Sequence, residues 1–224
     1  GQRAPEHHHW HNAGPFGTFD RQALQRGLQI YQEVCSSCHS LDLVHFRNLG
    51  EPGGPFESEE FPNANDNAIV MQIAAGYMIE DGPDDAGDMF ERAGLPSDAF
   101  PAPFANPQQA RGSNGGALPP DLSLIVKARS HGADYIRSLL LGYGEEVPHD
   151  VTIAPGKHYN PYFAGAVIAM APPLSEGLVT YADGTEPSME QMAEDVVTFL
   201  TWAGDPHMEA RKQMGVMVLL YLFI

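Results

Sequence analysis

Two cysteines and a histidine stand together early in the chain, in the sequence Cys-Ser-Ser-Cys-His at positions 35–39. Two thiols at this spacing reach the two vinyl groups of a haem and form thioether bonds, and the histidine that follows points an imidazole nitrogen at the iron. The chain of 224 residues has only these two cysteines. The motif therefore predicts one covalently attached haem c, held by Cys35 and Cys38, with His39 as an axial iron ligand.

Two other kinds of site use the same residue types. A thioredoxin-like dithiol normally follows a buried strand, whereas the residues before Cys35 have the apolar spacing of an amphipathic helix. A zinc site could combine both thiols and His39 with His45 or with a histidine of the segment 7–11. A structural zinc site more often carries a second CxxC or an HxxxH pair, so the haem interpretation is favoured.

The sixth iron ligand must come from elsewhere in the chain, and methionine or histidine is the usual choice in electron-carrying cytochromes. Met170 stands between small residues and precedes Pro172-Pro173, so its flexible thioether has room to approach a flat ring. Seven of the other eight methionines fall in or near predicted helices, in an acidic loop or in an apolar tail. Met170 is the favoured ligand, and the bis-histidine alternatives are His131, His149 and His158.

Helices must position these groups. Asp20 is placed to cap a helix over 21–34 that leads directly into Cys35. Ser188, with Gln191 three residues later, marks the start of a strongly apolar helix that Gly204 should end. Between these two helices we predict irregular segments at 47–65, 80–114 and 143–187. Further helices are predicted at 67–77, 121–128 and 133–141. No region alternates like a set of strands, so the fold class is mainly α.

The chain is strongly acidic, with a formal net charge of −17 and a pI of about 4.7. Nucleic acid is excluded as a partner because its phosphates would be repelled. Between Glu51 and Asp98 there are 12 acidic residues and one basic residue, so the negative charge is concentrated. This segment is predicted to attract a basic protein.

The last residues form an apolar segment from Met214 to Ile224, preceded by Arg211-Lys212. At about 1.5 Å per residue it would cross roughly half of the hydrocarbon of a bilayer. The basic pair is typical of a membrane border, so the start of a membrane helix is favoured over a buried core helix. We divide the chain into an irregular His-rich arm (1–17), a haem domain (18–210) and the start of a C-terminal transmembrane anchor (211–224).

Several stretches resemble the cytochrome c1 family, whose members are haem-bearing subunits of cytochrome bc1 complexes. The resemblance extends from about residue 16 to the end, although the histidines at 7–11 match no family motif. The stretches that carry it are Cys-Ser-Ser-Cys-His (35–39), Asn-Gly-Gly-Ala-Leu-Pro-Pro-Asp-Leu-Ser (114–123), Ala128-Arg129, Asp134-Tyr135, Tyr-Asn-Pro-Tyr-Phe (159–163) and Met-Ala-Pro-Pro (170–173).

The resemblance implies a class I cytochrome c core with long loop insertions, held by one C-terminal membrane helix. It implies a complex with cytochrome b and a Rieske iron–sulfur protein. In that complex the haem takes an electron from the Rieske protein and passes it to a soluble or tethered cytochrome c. The expected location is a bacterial or mitochondrial inner membrane, with the haem domain on the periplasmic or outer side.

The resemblance also implies roles for individual residues. His39 and Met170 would be the axial pair, and Arg129 would meet a haem propionate, with Tyr135 and Asn114 near the same edge. Pro120 would pack near the haem on the histidine side. His39 and Met170 are 131 residues apart, which makes a minimal soluble carrier improbable. The remaining alternative is a stand-alone, membrane-anchored mono-haem cytochrome c that serves an oxidase or a dehydrogenase.

Overall fold

The computed structural model describes residues 2–224, and most of its regular structure is helical. Two small antiparallel sheets complete it, β1 with β2 and β3 with β4. The prediction of a mainly α chain is confirmed. In chain order the elements are α1 (Arg21–Glu33), α2 (Ala68–Ala75), β1 (Met78–Asp81), β2 (Phe90–Ala93), α3 (Pro107–Ser113), α4 (Gly132–Leu141), β3 (His158–Tyr159), β4 (Val167–Ile168), α5 (Met189–Gly204) and α6 (Met208–Leu222).

Helix α1 begins where the sequence predicts. The Asp20 carboxylate accepts hydrogen bonds from the amides of Gln22 and Ala23 at 2.9 and 3.2 Å, which satisfies two donors of the first turn. Leu24 and Tyr31 are among the residues that the helix buries. Its end at Glu33 leads through Val34 into a 3₁₀ turn over Cys35–Ser37. The cysteine motif is therefore attached directly to a helix whose apolar face is fixed in the core.

Helix α5 starts at the predicted cap but ends slightly later than predicted. The Ser188 hydroxyl accepts a hydrogen bond from the Gln191 amide at 3.1 Å. The Gln191 side chain donates to Asp195 instead of returning to the cap, so only half of the capping box forms. Gly204 is the last helical residue and Asp205 is the C-cap, which corrects the expected position of Gly204 beyond the helix.

Helices α1 and α5 cross in direct contact at Gly27. A Cβ atom at this position would lie 2.0 Å from the Asp195 carbonyl oxygen and 2.6 Å from Phe199 Cβ. Beside the crossing, the Arg26 guanidinium contacts the Asp195 and Asp183 carboxylates at 2.9 and 2.8 Å. Helix α4 also packs against α5. The close approach at Gly27 therefore sets the distance between the haem motif's own helix and the largest core helix.

The predicted helix over 121–128 is absent, and these residues form consecutive turns. The Asp121 carboxylate accepts hydrogen bonds from the Ser40 hydroxyl and the Asp42 amide, both at 2.8 Å, besides the Ser123 amide. These bonds tie the segment to the residues after the cysteine motif. The bond from the Ser123 amide is a local turn, and such bonds compete with helix formation.

Smaller differences occur in the segment between α1 and α4. Helix α2 is shorter than predicted, and its cap is Asn67 rather than Asn65-Asp66. The segment 80–114 was predicted to be irregular, yet it contains β2 and α3, with part of β1 at its start. Arg92 holds the β1–β2 pair together, because its guanidinium contacts the Asp81 and Asp98 carboxylates at 2.5 and 2.7 Å.

The apolar tail from Met214 to Ile224 lies in α6 and the two residues after it, and its side chains are exposed apart from the half-buried Val216. The alternative of a buried core helix is therefore wrong. Within residues 2–224, no helix combines the length and the apolar character needed to cross a membrane.

Candidate haem-binding site

The cysteine motif is held by hydrogen bonds within its own turn. The amides of Cys38 and His39 both donate to the Cys35 carbonyl, at 3.2 and 2.9 Å. The Tyr31 hydroxyl, buried in the core, donates to the His39 carbonyl at 3.1 Å. Both cysteines are free thiols. Burial raises the pKa of Cys35 to about 12, so this thiol stays protonated in the chain without haem.

The imidazole of His39 is oriented by a backbone group on another segment. Its Nδ1 lies 2.7 Å from the Pro120 carbonyl oxygen, which can only accept, so Nδ1 carries the proton. Burial lowers the pKa of His39, and this favours the neutral ring. A neutral imidazole with its proton on Nδ1 presents the lone pair of Nε2, which is the form that binds a metal. Pro120 thus acts on His39 through its carbonyl oxygen.

The Pro120 carbonyl is fixed by the turns that follow it. The Leu122 amide donates to the Ser40 carbonyl at 3.0 Å, directly after His39. Burial tends to raise the pKa of Asp121, but the hydrogen bonds that it accepts from Asp42, Ser123 and Ser40 outweigh burial and lower it. The carboxylate is therefore ionised at neutral pH, and it holds the two segments together.

Met170 follows the short hairpin of β3 and β4. Tyr159 pairs with Val167 and His158 with Ile168. The Tyr143 hydroxyl, at the end of α4, donates to the Met170 carbonyl oxygen at 2.9 Å. Met170 and Cys35 are both partly buried and pack against the same hydrophobic core. The bond from Tyr143 was not foreseen, because neither residue type nor spacing indicates it.

The hairpin is joined to α4 by a buried amide side chain. Asn160 is fully buried. Its Nδ2 donates to the Leu139 carbonyl at 2.8 Å, and its Oδ1 accepts from the Tyr162 amide at 3.1 Å. The Met170 loop is therefore tied to α4 at two places, by Asn160 and by Tyr143.

Arg129 and Tyr135 line one cavity of about 450 Å³, together with Phe163, His131 and the start of the N-terminal arm. Within residues 2–224 the Arg129 guanidinium makes one hydrogen bond, to the Ala128 carbonyl at 3.1 Å, and contacts no carboxylate. Burial raises the pKa of Tyr135, whereas the charge of Arg129 lowers it. The cavity therefore contains a guanidinium without an anionic partner beside a neutral phenol.

Asn114 is not brought to this cavity. Its side-chain amide donates to the Ala110 carbonyl at 2.7 Å, and it caps the end of α3. The structure thus places Pro120 against His39 and Arg129 against Tyr135. It gives no contact that joins Asn114 to either pair.

The alternative ligands are placed differently. His158 lies in β3, His149 in an exposed turn, and His131 in a left-handed conformation at the start of α4. For the zinc alternative, His45 Nδ1 lies 2.7 Å from the Ser97 carbonyl. The described residues contain no group of three His, Cys, Asp or Glu side chains placed to hold a metal ion.

Comparison with known proteins now gives the family. Residues 10–224 match the Cytochrome C1 family. The chain belongs to the cytochrome c1 family. It is 50% identical over 242 aligned positions to "Cytochrome b/c1" of Bradyrhizobium diazoefficiens, and the alignment covers the whole chain but 34% of that protein. It is 48% identical to "Cytochrome c1-2, heme protein, mitochondrial" of Solanum tuberosum and 43% identical to "Cytochrome c1" of Rhodospirillum rubrum.

These two alignments cover 92% and 95% of the chain, and 75% and 80% of the relatives. The chain thus spans about a third of the Bradyrhizobium protein and three quarters or more of the other two. Cytochrome c1 family proteins carry one covalently bound haem c, so the predicted cofactor is confirmed.

The residues of this family member fit such a group. Two free thiols lie one turn apart at the end of a fixed helix, and the imidazole beside them presents Nε2. On the same core, the loop around Met170 provides a thioether with its backbone tied to Tyr143. One charged side chain without an anionic partner, Arg129, lines a cavity that could receive a carboxylate.

Proposed function

We propose that this cytochrome c1 family member is the haem-bearing electron-transfer subunit of a quinol–cytochrome c oxidoreductase. When bound, the haem supplies the one-electron couple through which an electron passes from a Rieske iron–sulfur protein to a soluble or tethered cytochrome c. The observation that carries the proposal is the 2.7 Å contact from His39 Nδ1 to the Pro120 carbonyl, directly after two free thiols. It leaves Nε2 as the ligand atom for the iron.

Met170 is proposed as the second axial ligand. A thioether ligand raises the reduction potential of haem iron, which suits the end of a respiratory chain. Met170→Leu should remove the sulfur-to-iron charge-transfer band at the red end of the ferric spectrum and lower the potential. Met89→Leu, on an exposed loop, is the matched control and should change neither. If the band and the potential survive in Met170→Leu, the ligand is another residue.

Arg129 and Tyr135 are proposed to meet a haem propionate in the cavity that they line. A guanidinium is a planar, permanently charged donor for a carboxylate. Pro120 is proposed to act on the histidine side by orienting His39. Asn114 remains a weaker proposal for the propionate edge, because its hydrogen bonds stay within α3 and the turn after it.

A basic cytochrome c is proposed to dock on acidic residues between Glu51 and Asp98. Some of these acids already have partners. Glu57 contacts Arg21 and Glu51 contacts Arg47, while Asp81 and Asp98 both contact Arg92. Asp84 accepts the amides of Ala86 and Asp88, so it shapes its loop. The Asp66 carboxylate accepts a hydrogen bond from the Asn63 side chain at 2.9 Å. Among the described residues, the acids left exposed without a side-chain partner, here called the acidic surface, are Glu59, Glu60, Glu80, Asp85, Asp88 and Glu91.

The membrane attachment is proposed to run through α6. From Met214 onward its side chains are apolar and mostly exposed, and Met208 is the one residue that the helix buries in the described structure. The haem domain would lie on the periplasmic or outer side of a bacterial or mitochondrial inner membrane. Deleting the residues after Lys212 should leave a haem-loaded protein that no longer binds vesicles. Loss of haem from this variant would overturn the assignment.

Co-purification distinguishes the proposed function from a stand-alone membrane-anchored cytochrome c that serves an oxidase or a dehydrogenase. Solubilising native membranes in mild detergent and isolating the tagged chain should recover cytochrome b and a Rieske protein. The Bradyrhizobium relative's name joins b and c1, which supports this expectation. A pyridine haemochrome assay of the isolated chain should give one haem c. Recovery of an oxidase instead would favour the alternative.

A further inference from the structure

A tight turn in the N-terminal arm is fastened to α6 at the point where that helix becomes apolar. Within this turn (residues 12–17, the arm turn), Gly17 lies so close to Ala13 that a Cβ atom would be 2.1 Å from the Ala13 carbonyl oxygen. From α6, the Lys212 ammonium donates to the Asn12 and Gly17 carbonyl oxygens at 2.6 and 3.0 Å. The arm turn is therefore held at a fixed position along α6, at Lys212.

Phe16, on this turn, is unusually exposed. Its side chain is 80% exposed, whereas among the exposed large apolar residues before α6 the next value is 62%, at Leu43. Among the large apolar residues that the structure describes, comparable exposure is found only at the far end of the tail, where Tyr221 and Phe223 are 81% and 86% exposed. The Phe16 ring lines the same groove as Val216 and Met217 of α6, and a contiguous exposed apolar patch of this kind marks a contact surface.

The arm turn and α6 together form one apolar surface. Between them lies a groove of about 480 Å³ with Pro15 and Phe16 on one wall and Val216 and Met217 on the other. The Lys212 side chain lines the same groove, and its ammonium stays bound to the arm-turn carbonyls. Arg211, the residue before it, is paired with Asp205 at 2.6 Å. Glu209, the one acidic residue of the groove, is held by the Arg21 guanidinium at 2.8 Å. Apolar walls beside one lysine, continuous with the exposed apolar side chains of α6, match the boundary between acyl chains and headgroups in a phospholipid leaflet.

We propose that the arm turn lies in the interfacial region of the bilayer beside α6, with Phe16 inserted among phospholipid chains. The proposal rests on the proposed membrane attachment through α6 and adds a second, separate contact to it. The turn would fix the tilt and depth of the haem domain, because a helix alone leaves rotation about its own axis free. A second protein chain is the competing occupant of this surface.

Vesicle flotation tests the proposal with the haem-loaded chain of 224 residues. The vesicles contain equal amounts of phosphatidylcholine and phosphatidylglycerol, and the measurement is the fraction of protein that floats with them. Phe16→Asp should weaken partitioning roughly tenfold or more, since burying one phenylalanine side chain contributes that much. Phe16→Trp should retain it. Leu95→Asp, at a 51% exposed apolar residue elsewhere on the domain, is the matched control and should not change it.

The outcomes are distinguishable. Equal partitioning of Phe16→Asp and the unaltered chain, while the variant deleted after Lys212 stays unbound, would overturn the proposal and leave the anchor intact. Failure of the unaltered chain to float would overturn the anchor and this inference together. If Phe16→Asp floats normally but no longer assembles with cytochrome b, the surface belongs to a protein partner and the proposal is wrong. Phe16→Ser, with a neutral side chain, should follow Phe16→Asp in direction.

Discussion

The Tyr143 hydroxyl donates a hydrogen bond to the backbone carbonyl oxygen of Met170 at 2.9 Å. This bond links the end of α4 to the loop that carries the proposed sulfur ligand. Burial raises the pKa of Tyr143, so the phenol remains a donor throughout the physiological range. The position of the Met170 thioether therefore depends on a residue 27 positions away.

Tyr143→Phe should loosen the Met170 loop without removing its sulfur. We expect the free energy of unfolding to fall by about 1 kcal/mol, the usual net contribution of one hydrogen bond. The sulfur-to-iron band of the ferric spectrum should weaken but persist, unlike its loss in Met170→Leu. Urea denaturation and the visible spectrum measure the two effects. Tyr221→Phe, exposed on α6, is the control, and equal effects in both variants would refute the link.

Arg129→Gln should lower the reduction potential, because removing a positive charge near a haem propionate stabilises the oxidised form. The expected shift is on the order of tens of millivolts, up to about tenfold in the equilibrium constant. Arg111→Gln is a matched control, since Arg111 is also exposed and bonds one backbone carbonyl, that of Gly116, at 3.0 Å. A redox titration in which both variants behave alike would contradict the propionate contact.

Electron transfer to a basic cytochrome c should depend on the acidic surface. Neutralising Asp85, Asp88 and Glu91 together, and separately Glu59 and Glu60, should reduce the rate at low salt and flatten its dependence on ionic strength. These changes spare Glu57 and Asp84, which have structural partners. A control variant neutralises two exposed acids before and in α5, Glu186 and Glu190. Stopped-flow electron-transfer rates over a salt series measure the effect. If neither group of substitutions flattens the dependence of the rate on ionic strength, the basic cytochrome c docks elsewhere.

Gly27→Ala should destabilise the chain by about 1–3 kcal/mol or more, because the added methyl group overlaps the Asp195 carbonyl at the crossing of α1 and α5. Gly112→Ala is the matched control. Gly112 is also helical, and a Cβ there would meet nothing within 4 Å, so stability should change by less than about 1 kcal/mol. Thermal denaturation of both variants measures the difference, and equal melting temperatures would show that the helices can separate.

The N-terminal arm should detach in acid. Burial tends to raise the pKa of Asp134, but hydrogen bonds from Trp10, His7 and the His8 amide outweigh burial and lower it. A lowered carboxyl pKa contributes stability that is present above about pH 3.9 and is lost as the pH falls through the folded value. The free energy of unfolding should therefore decrease with falling pH in this window.

Trp10→Phe removes the 2.7 Å bond from the indole to Asp134 and should make this decrease shallower. In an Asp134→Asn background the same change should have no further effect on the slope. Denaturation curves between about pH 2 and 6 provide the measurement. An unchanged slope in Trp10→Phe would mean that the arm is held by other contacts.

Local signals were enough to predict the elements that carry the cysteine motif. In α1, the cap at Asp20 and the apolar residues lie in one short stretch of sequence, so both can be read locally. The cap of α5 at Ser188 and its apolar residues are likewise close together in sequence. The helix predicted over 121–128 failed because the partners of Asp121 are Ser40 and Asp42, about 80 residues earlier. No local pattern contains that information.

In the candidate site, too, residues marked by a local motif could be predicted from the sequence, whereas contacts between distant residues could not. Cys35, Cys38 and His39 are proposed as haem-binding residues from their spacing alone. The carbonyl of Pro120 and the hydroxyl of Tyr143 were not foreseen as orienting groups, since each acts across the fold on a residue far away in sequence. Asn114 matched a family motif, yet its side chain bonds within its own helix. Sequence motifs thus identified ligand types, and the fold decided which neighbours orient them.

The crossing of α1 and α5 also has a consequence for the order of events during synthesis. Arg26 and Asp195, which face each other there, are 169 residues apart. At translation rates of about 5–20 residues per second, α1 precedes its packing partner by roughly 10–30 s. Throughout that interval the apolar face of α1 lacks its packing partner. The core that supports the cysteine motif therefore closes only after α5 has been made, near the end of synthesis of these 224 residues.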